Sequence, residues 1–138
     1  MEQVRVEQVI AHPVAEVWAV LSSFGGLRGW IPRLESCSLD GAGVGSVRTV
    51  TVAGYTVQER LETCDPAAHV ISYAVLPPHH FPADDVVGTT RLTGTSDGRT
   101  KVEWWCEANV VGSREEFVAV VERLYRASIR GLDRFLAS

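Results

Sequence analysis

No run of apolar residues in this chain approaches the roughly 20 that a helix needs to cross a bilayer, so no membrane span is expected. The segment Met1–His12 carries charge without a long apolar core or a small-residue cleavage site. No export signal is visible, and the cytoplasm is the expected compartment. Cysteine is scarce: Cys37, Cys64 and Cys106 are odd in number and widely spaced, with no CxxC pair and no Cys/His cluster. That pattern argues against a structural zinc or a disulfide framework and predicts free thiols packed as small hydrophobes. There is no block of like charges either. Thirteen Lys and Arg against seventeen Asp and Glu leave a net charge of -4, so a surface built to hold phosphate backbones is not expected, and neither is nucleic acid as a partner. Internal repeats, low-complexity tracts and linkers are also missing.

What remains is an average globular composition over 138 residues, enough for one domain that buries about two-thirds of its unfolded surface. In the segment from Glu2, Val4, Val6 and Ile10 share one parity, as in a half-buried strand. Pro13 suits a first helical turn, and Val14, Val17, Trp18 and Leu21 are spaced for one buried helical face. A second short helix is expected in "GGLRGWIPRL", stopped near Pro32. From Leu34 to Val111 six strands follow, punctuated by Asp40-Gly41, Gly54, Asp65-Pro66 and Asp97-Gly98 at hairpin spacing. Ser113, with Glu116 three residues on, then caps a long helix whose expected apolar stripe is Phe117, Val120, Val121, Leu124, Ser128, Leu132 and Phe135. A bent antiparallel sheet wrapped around one long helix predicts a cavity between them, of about 300 to 1,000 Å³ if it takes a small molecule.

Several pieces in order carry a resemblance: Pro13 before a helix containing Val17-Trp18, Trp30 with Pro32, Gly45-Ser46-Val47-Arg48, Glu59-Arg60-Leu61 and Ser72-Tyr73. Together they resemble the polyketide cyclase/dehydrase branch of the START/SRPBCC (Bet v 1-like, helix-grip) superfamily, over essentially the whole chain. The fold implied is α+β, a strongly curved seven-stranded antiparallel sheet around a C-terminal helix with two short helices after the first strand. The plant abscisic-acid receptors of that superfamily are similar more distantly. Where they carry a pocket lysine that holds a ligand carboxylate, this chain has Glu35, so the charge is inverted. The same matching implies that Val50, Val52, Glu59, Tyr73, Val75, Glu107 and Asn109 face inward. Trp30, Phe81, Trp105, Leu124 and Ser128 complete the implied ligand contacts.

The residues themselves leave two points open. On the last strand Glu103, Trp105, Glu107 and Asn109 share one parity and Val102, Trp104, Cys106, Ala108 and Val110 the other, and periodicity alone does not say which faces the core. If the first set does, the apolar set with Trp104 is an outer face that could serve a homodimer; otherwise Glu107 and Asn109 are merely solvated. Glu59, if inward with Val57 and Leu61, is either a carboxylate tuned by burial for acid/base work or one half of an ion pair with Arg48 or Arg60. In "PPHHFP", the adjacent histidines lack the third ligand and spacing a metal needs, so no metal is expected at His79 or His80. The receptors carry a histidine-containing latch loop here, which implies a pocket lid with His80 at the entrance and Phe81 as an apolar cap. The Ala53-Gly54-Tyr55 turn is much shorter than the receptors' gate loop. The resulting expectation is a cofactor-free enzyme acting on a hydrophobic carbonyl compound by cyclisation, dehydration or related proton transfer, with Glu59, Glu107, His80 and Tyr73 as catalytic candidates. The alternative is a non-catalytic carrier, monomeric or homodimeric, for the same kind of molecule.

Overall fold

The structure is a computed structural model that describes all residues 1–138. Strand β1 (Glu2–Ile10) leads into helix α1 (Val14–Leu21). Strands β2 (Leu34–Asp40), β3 (Val47–Val52), β4 (Tyr55–Asp65), β5 (Val70–Leu76), β6 (Ala83–Gly94) and β7 (Thr100–Val110) follow, and helix α2 (Arg114–Ala137) closes the chain. All seven strands form one antiparallel sheet in the order β1-β7-β6-β5-β4-β3-β2, so each consecutive pair from β2 onward is a hairpin while β1 crosses to pair with β7. Register shifts at Glu2/Val4, Leu34/Ser36, Leu61/Thr63 and Asp84/Val87 interrupt the ladders. A bulge bends and further twists its strand, which is how the sheet curves around α2. The helix-grip α+β fold is thus present.

The second short helix is not. Residues 25–33 form turns, with Trp30 N–H bonded to Leu27 O at 3.3 Å and Ile31 N–H to the same oxygen at 3.2 Å. Gly29 and Arg33 lie at φ of 100° and 61°, which a right-handed helix cannot contain. The segment still contributes Phe24, Leu27 and Trp30 to one continuous core of 25 buried hydrophobic residues.

Helix α2 begins as its sequence demands: Ser113 Oγ accepts the Glu116 N–H at 3.2 Å, and Glu115 and Glu116 complement the positive end of the helix. Its buried face is rotated from the expected stripe. Phe117, Val121, Ser128 and Leu132 are buried together with Tyr125 and Ile129, whereas Val120, Leu124 and Phe135 are 42%, 45% and 39% exposed. The concave sheet covers the 117-121-125-128-132 line, and the 120-124 flank falls outside it. No helix is long and apolar enough to cross a membrane.

Candidate functional site

The pairing of β7 resolves its parity. Val102, Trp104, Cys106 and Ala108 are buried against α2, so Glu107 and Asn109 stand exposed on the convex face, where Asn109 Nδ2 donates to Asp85 Oδ2 at 3.0 Å. The expectation that these two polar residues line the interior is corrected: the bulky apolar set takes the core because burying it removes far more apolar surface from water. Trp105 is likewise on the convex face, between the guanidinium groups of Arg5 and Arg91 at 4.3 and 5.5 Å from its ring. Trp104 is core, not a dimer surface.

Inside, a two-residue turn at Ala53-Gly54, both at positive φ, fixes the β3–β4 register. Val52 therefore opposes Tyr55, Val50 opposes Val57 and Arg48 opposes Glu59. Arg48 Nε donates to Glu59 Oε1 at 2.7 Å, with side chains only 9% and 16% exposed. Arg48 Nη1 also donates to Phe24 O at 3.0 Å, and the guanidinium lies 4.0 Å from the Phe24 ring and 5.0 Å from that of Tyr73. Glu59 is an interior ion-pair member, not an isolated carboxylate.

Next to this pair, Tyr73 Oη accepts from Trp104 Nε1 at 3.2 Å, and the Trp104 ring stacks on Tyr125 at 4.8 Å. Gly88 makes the Tyr73 position available, since a Cβ there would lie 2.6 Å from the tyrosine Cζ. Burial pushes the phenol of Tyr73 well above its ordinary range, with the Glu59 charge adding to the effect. Burial does the same to Tyr125, and it pushes the Cys106 thiol up to about 11. These groups stay protonated at neutral pH. No three His, Cys, Asp or Glu side chains gather where a metal could be held.

Between these side chains lies a cavity of about 10 Å³, lined by Leu21, Phe24, Trp30, Arg48, Ile71, Tyr73, Thr90 and Trp104. It has room for about one water. The expected cavity of hundreds of cubic ångströms is therefore not present: the rings of Trp30, Trp104 and Tyr125, the last two stacked and the first tilted against Trp104, fill the space between sheet and helix. A larger open depression of about 410 Å³ lies elsewhere, on the outer face of α2 among Arg123, Arg126 and Arg130.

In the loop between β5 and β6, His80 stacks on Tyr55 at 4.2 Å and on Phe81 at 5.0 Å, and Phe81 meets Phe117 of α2 edge-on at 6.3 Å. The loop between β5 and β6 thus touches both the β3–β4 turn and the helix. Glu35, the expected ligand contact, is exposed and accepts the Gly54 N–H at 2.5 Å, so it holds that turn. Leu124 is exposed as well. Among the residues expected to form the site, Trp30, Val50, Tyr73, Val75 and Ser128 are buried, Val52, Glu59 and Phe81 are half-buried, and His80 is exposed. Phe24, Tyr55, Thr90 and Tyr125 belong to the assembly without having been anticipated. Of the two arginines offered as partners for Glu59 it is Arg48 that pairs, as counting back from the two-residue turn gives, but nothing in the alternation marks Thr90 as inward.

A family model described as polyketide cyclase / dehydrase and lipid transport matches residues 1–136. The abscisic acid receptor PYL6 of Arabidopsis thaliana is 30% identical over 141 residues, an alignment that takes in 92% of this chain and 65% of the receptor. An uncharacterized protein of Bacillus thuringiensis superposes with a TM-score of 0.87 at 25% identity, over 97% of this chain and 98% of that one. The crystal structure of Ara h 8.0201 superposes with a TM-score of 0.80 at 18% identity, over 96% and 95%, a likeness of fold alone.

Proposed function

The chain belongs to the polyketide cyclase / dehydrase and lipid transport family, and from that membership we propose that it holds a hydrophobic small molecule between its sheet and α2 without transforming it. The observation that carries this reading is the ion pair: Glu59, the carboxylate of the concave face, is bound to Arg48, while the Tyr73 oxygen accepts from Trp104. A binding protein needs such groups only to orient a ligand, whereas an acid/base catalyst needs one free to exchange a proton. The similarity to a protein named as a receptor for a small molecule supports the same choice. Because the cavity has room for about one water, binding requires interior rings to move, and this proposal takes the Tyr55–His80–Phe81 stack as the way in. Action in the cytoplasm, as a monomer or homodimer, belongs to this proposal.

The catalytic reading would place proton transfer on a hydrophobic carbonyl compound at Glu59, with Tyr73 orienting an oxygen. It requires Glu59 to exchange Arg48 for substrate. Native mass spectrometry of the protein after exposure to hydrophobic extracts, with the captured species then extracted, separates the two. A stoichiometric complex from which the molecule is recovered unchanged supports the carrier, recovery of a converted product supports the enzyme, and absence of any complex removes both.

A further inference from the structure

Thr90 sits in the middle of β6, opposite Ile71 on one side and Trp104 on the other, 1% exposed, and no protein group hydrogen-bonds its hydroxyl. It lines the small interior cavity, whose other polar groups are the Arg48 guanidinium and the Tyr73 hydroxyl, the latter already accepting from Trp104. A buried hydroxyl without a partner is costly, and valine would fill the same volume without that cost. The neighbouring polar groups do not serve it: Arg48 spends Nε on Glu59 and Nη1 on Phe24 O, and its Nη2 makes no hydrogen bond.

We infer that the ligand of this interior is a neutral hydrophobic molecule whose ketone or hydroxyl oxygen is anchored by Thr90 Oγ1 and the Arg48 guanidinium, and that the site rejects carboxylates. The inference rests on the binding reading above and specifies its ligand class. The charge count decides against an acid. The positive charge of Arg48 is already balanced by Glu59 at 2.7 Å, so a bound carboxylate would add an unbalanced negative charge among aromatic and aliphatic side chains. A neutral oxygen adds none, and it can receive from Thr90 and Arg48 together. The remaining lining, including Leu21, Ile71 and Trp104, suits a carbon framework.

The test titrates naphthalene, 2-acetylnaphthalene and 2-naphthoate into the protein and into its Thr90→Val and Thr90→Ser variants, following the indole N–H of Trp104 by NMR. The ketone is expected to bind about ten- to a hundredfold more tightly than naphthalene, the worth of two hydrogen bonds, and the naphthoate at least tenfold more weakly than the ketone. Thr90→Val should cut the ketone's advantage about three- to tenfold while leaving naphthalene binding intact, and Thr90→Ser should restore it. Equal binding of ketone and naphthalene, or naphthoate as the tightest of the three, overturns the inference and leaves interior binding standing. The wild-type comparison decides this even if Thr90→Val does not fold. Failure of all three probes to perturb Trp104 overturns the binding reading and the inference with it.

Discussion

Arg48 and Glu59 face each other across the β3–β4 hairpin on the concave side of the sheet, Nε to Oε1 at 2.7 Å, with Phe24 and Tyr73 flanking the guanidinium. A pair this shaded from solvent is worth little as a replaceable unit and much as an intact one, because removing one member strands the other's charge. Arg48→Met and Glu59→Leu should each destabilise by about 3 kcal/mol in urea unfolding, while the double variant should cost less than the sum by about 1 to 3 kcal/mol. Additive losses would mean that the two side chains act independently. The same pair separates binding from catalysis. Glu59→Gln should change ligand affinity by roughly 0.5 to 1.5 kcal/mol, whereas a lost general acid or base would lower turnover about 10²- to 10⁴-fold.

This pair also marks how far the sequence is legible. The strand count, the hairpin order and the Ser113 cap follow from alternation, turn dipeptides and a capping hydroxyl, all local signals. Whether Glu107 or Trp104 points inward is not local: it depends on which face meets α2, and a strand with both parities rich in large side chains does not announce it. The failed helix at residues 25–33 has a related cause. Trp30 and Leu27 are spaced for one helical turn, but Gly29 and Arg33 adopt positive φ so that the segment can lay its backbone against α2. Cavity size is the least legible quantity, because it is the small difference between the space enclosed and the volume of the rings that fill it.

That backbone contact predicts an unusual glycine. A Cβ on Gly131 would stand 2.0 Å from Trp30 O, closer than any unstrained contact. Alanine in a helix interior ordinarily gains about 1 kcal/mol over glycine. Here Gly131→Ala should instead destabilise by about 1 to 3 kcal/mol, since α2 and the 25–33 segment must separate. Chemical denaturation measures it, and a stabilised variant would show that the approach of helix and turn is looser than described.

On the convex face, Glu103 is 5% exposed and bonded to Arg91 at 3.1 Å and Arg5 at 2.8 Å, with Lys101 at 3.8 Å. Hydrogen bonding from Arg91, aided by the nearby positive charges, holds its carboxyl below the ordinary glutamate value of 4.5 despite burial. A carboxyl depressed in the folded state binds fewer protons than in the unfolded one, so its contribution is fully present above about pH 4.5 and is lost as pH falls through the depressed folded value. Unfolding free energies measured between pH 7 and pH 3 should therefore fall less steeply on acidification in Glu103→Gln, which should itself be weaker by about 1 to 2 kcal/mol at pH 7. Parallel curves for the two proteins would deny Glu103 this role.

The stack of Tyr55 on His80 makes a prediction about rate. Tyr55 is 58% exposed and His80 is exposed too, so their contact at 4.2 Å buries little, and Tyr55→Ala should cost no more than about 1 kcal/mol of stability. Yet the stack joins the β3–β4 turn to the β5–β6 loop, the two segments that part in the proposed entry route. If the closed mouth exists in both the empty and the occupied protein, loss of the stack lowers the opening barrier from both sides by a similar amount. Association and dissociation rates should then each rise about two- to tenfold, with the dissociation constant nearly unchanged, and Tyr55→Phe should keep wild-type rates. Stopped-flow mixing with 2-acetylnaphthalene, read by quenching of the interior tryptophans, gives both rates. Hydrogen exchange of the amides in residues 79–81 tests the same barrier without a ligand and should quicken in Tyr55→Ala alone. Rates and exchange that match wild type would mean that entry to the interior lies elsewhere, along the exposed Val120–Leu124 flank of α2.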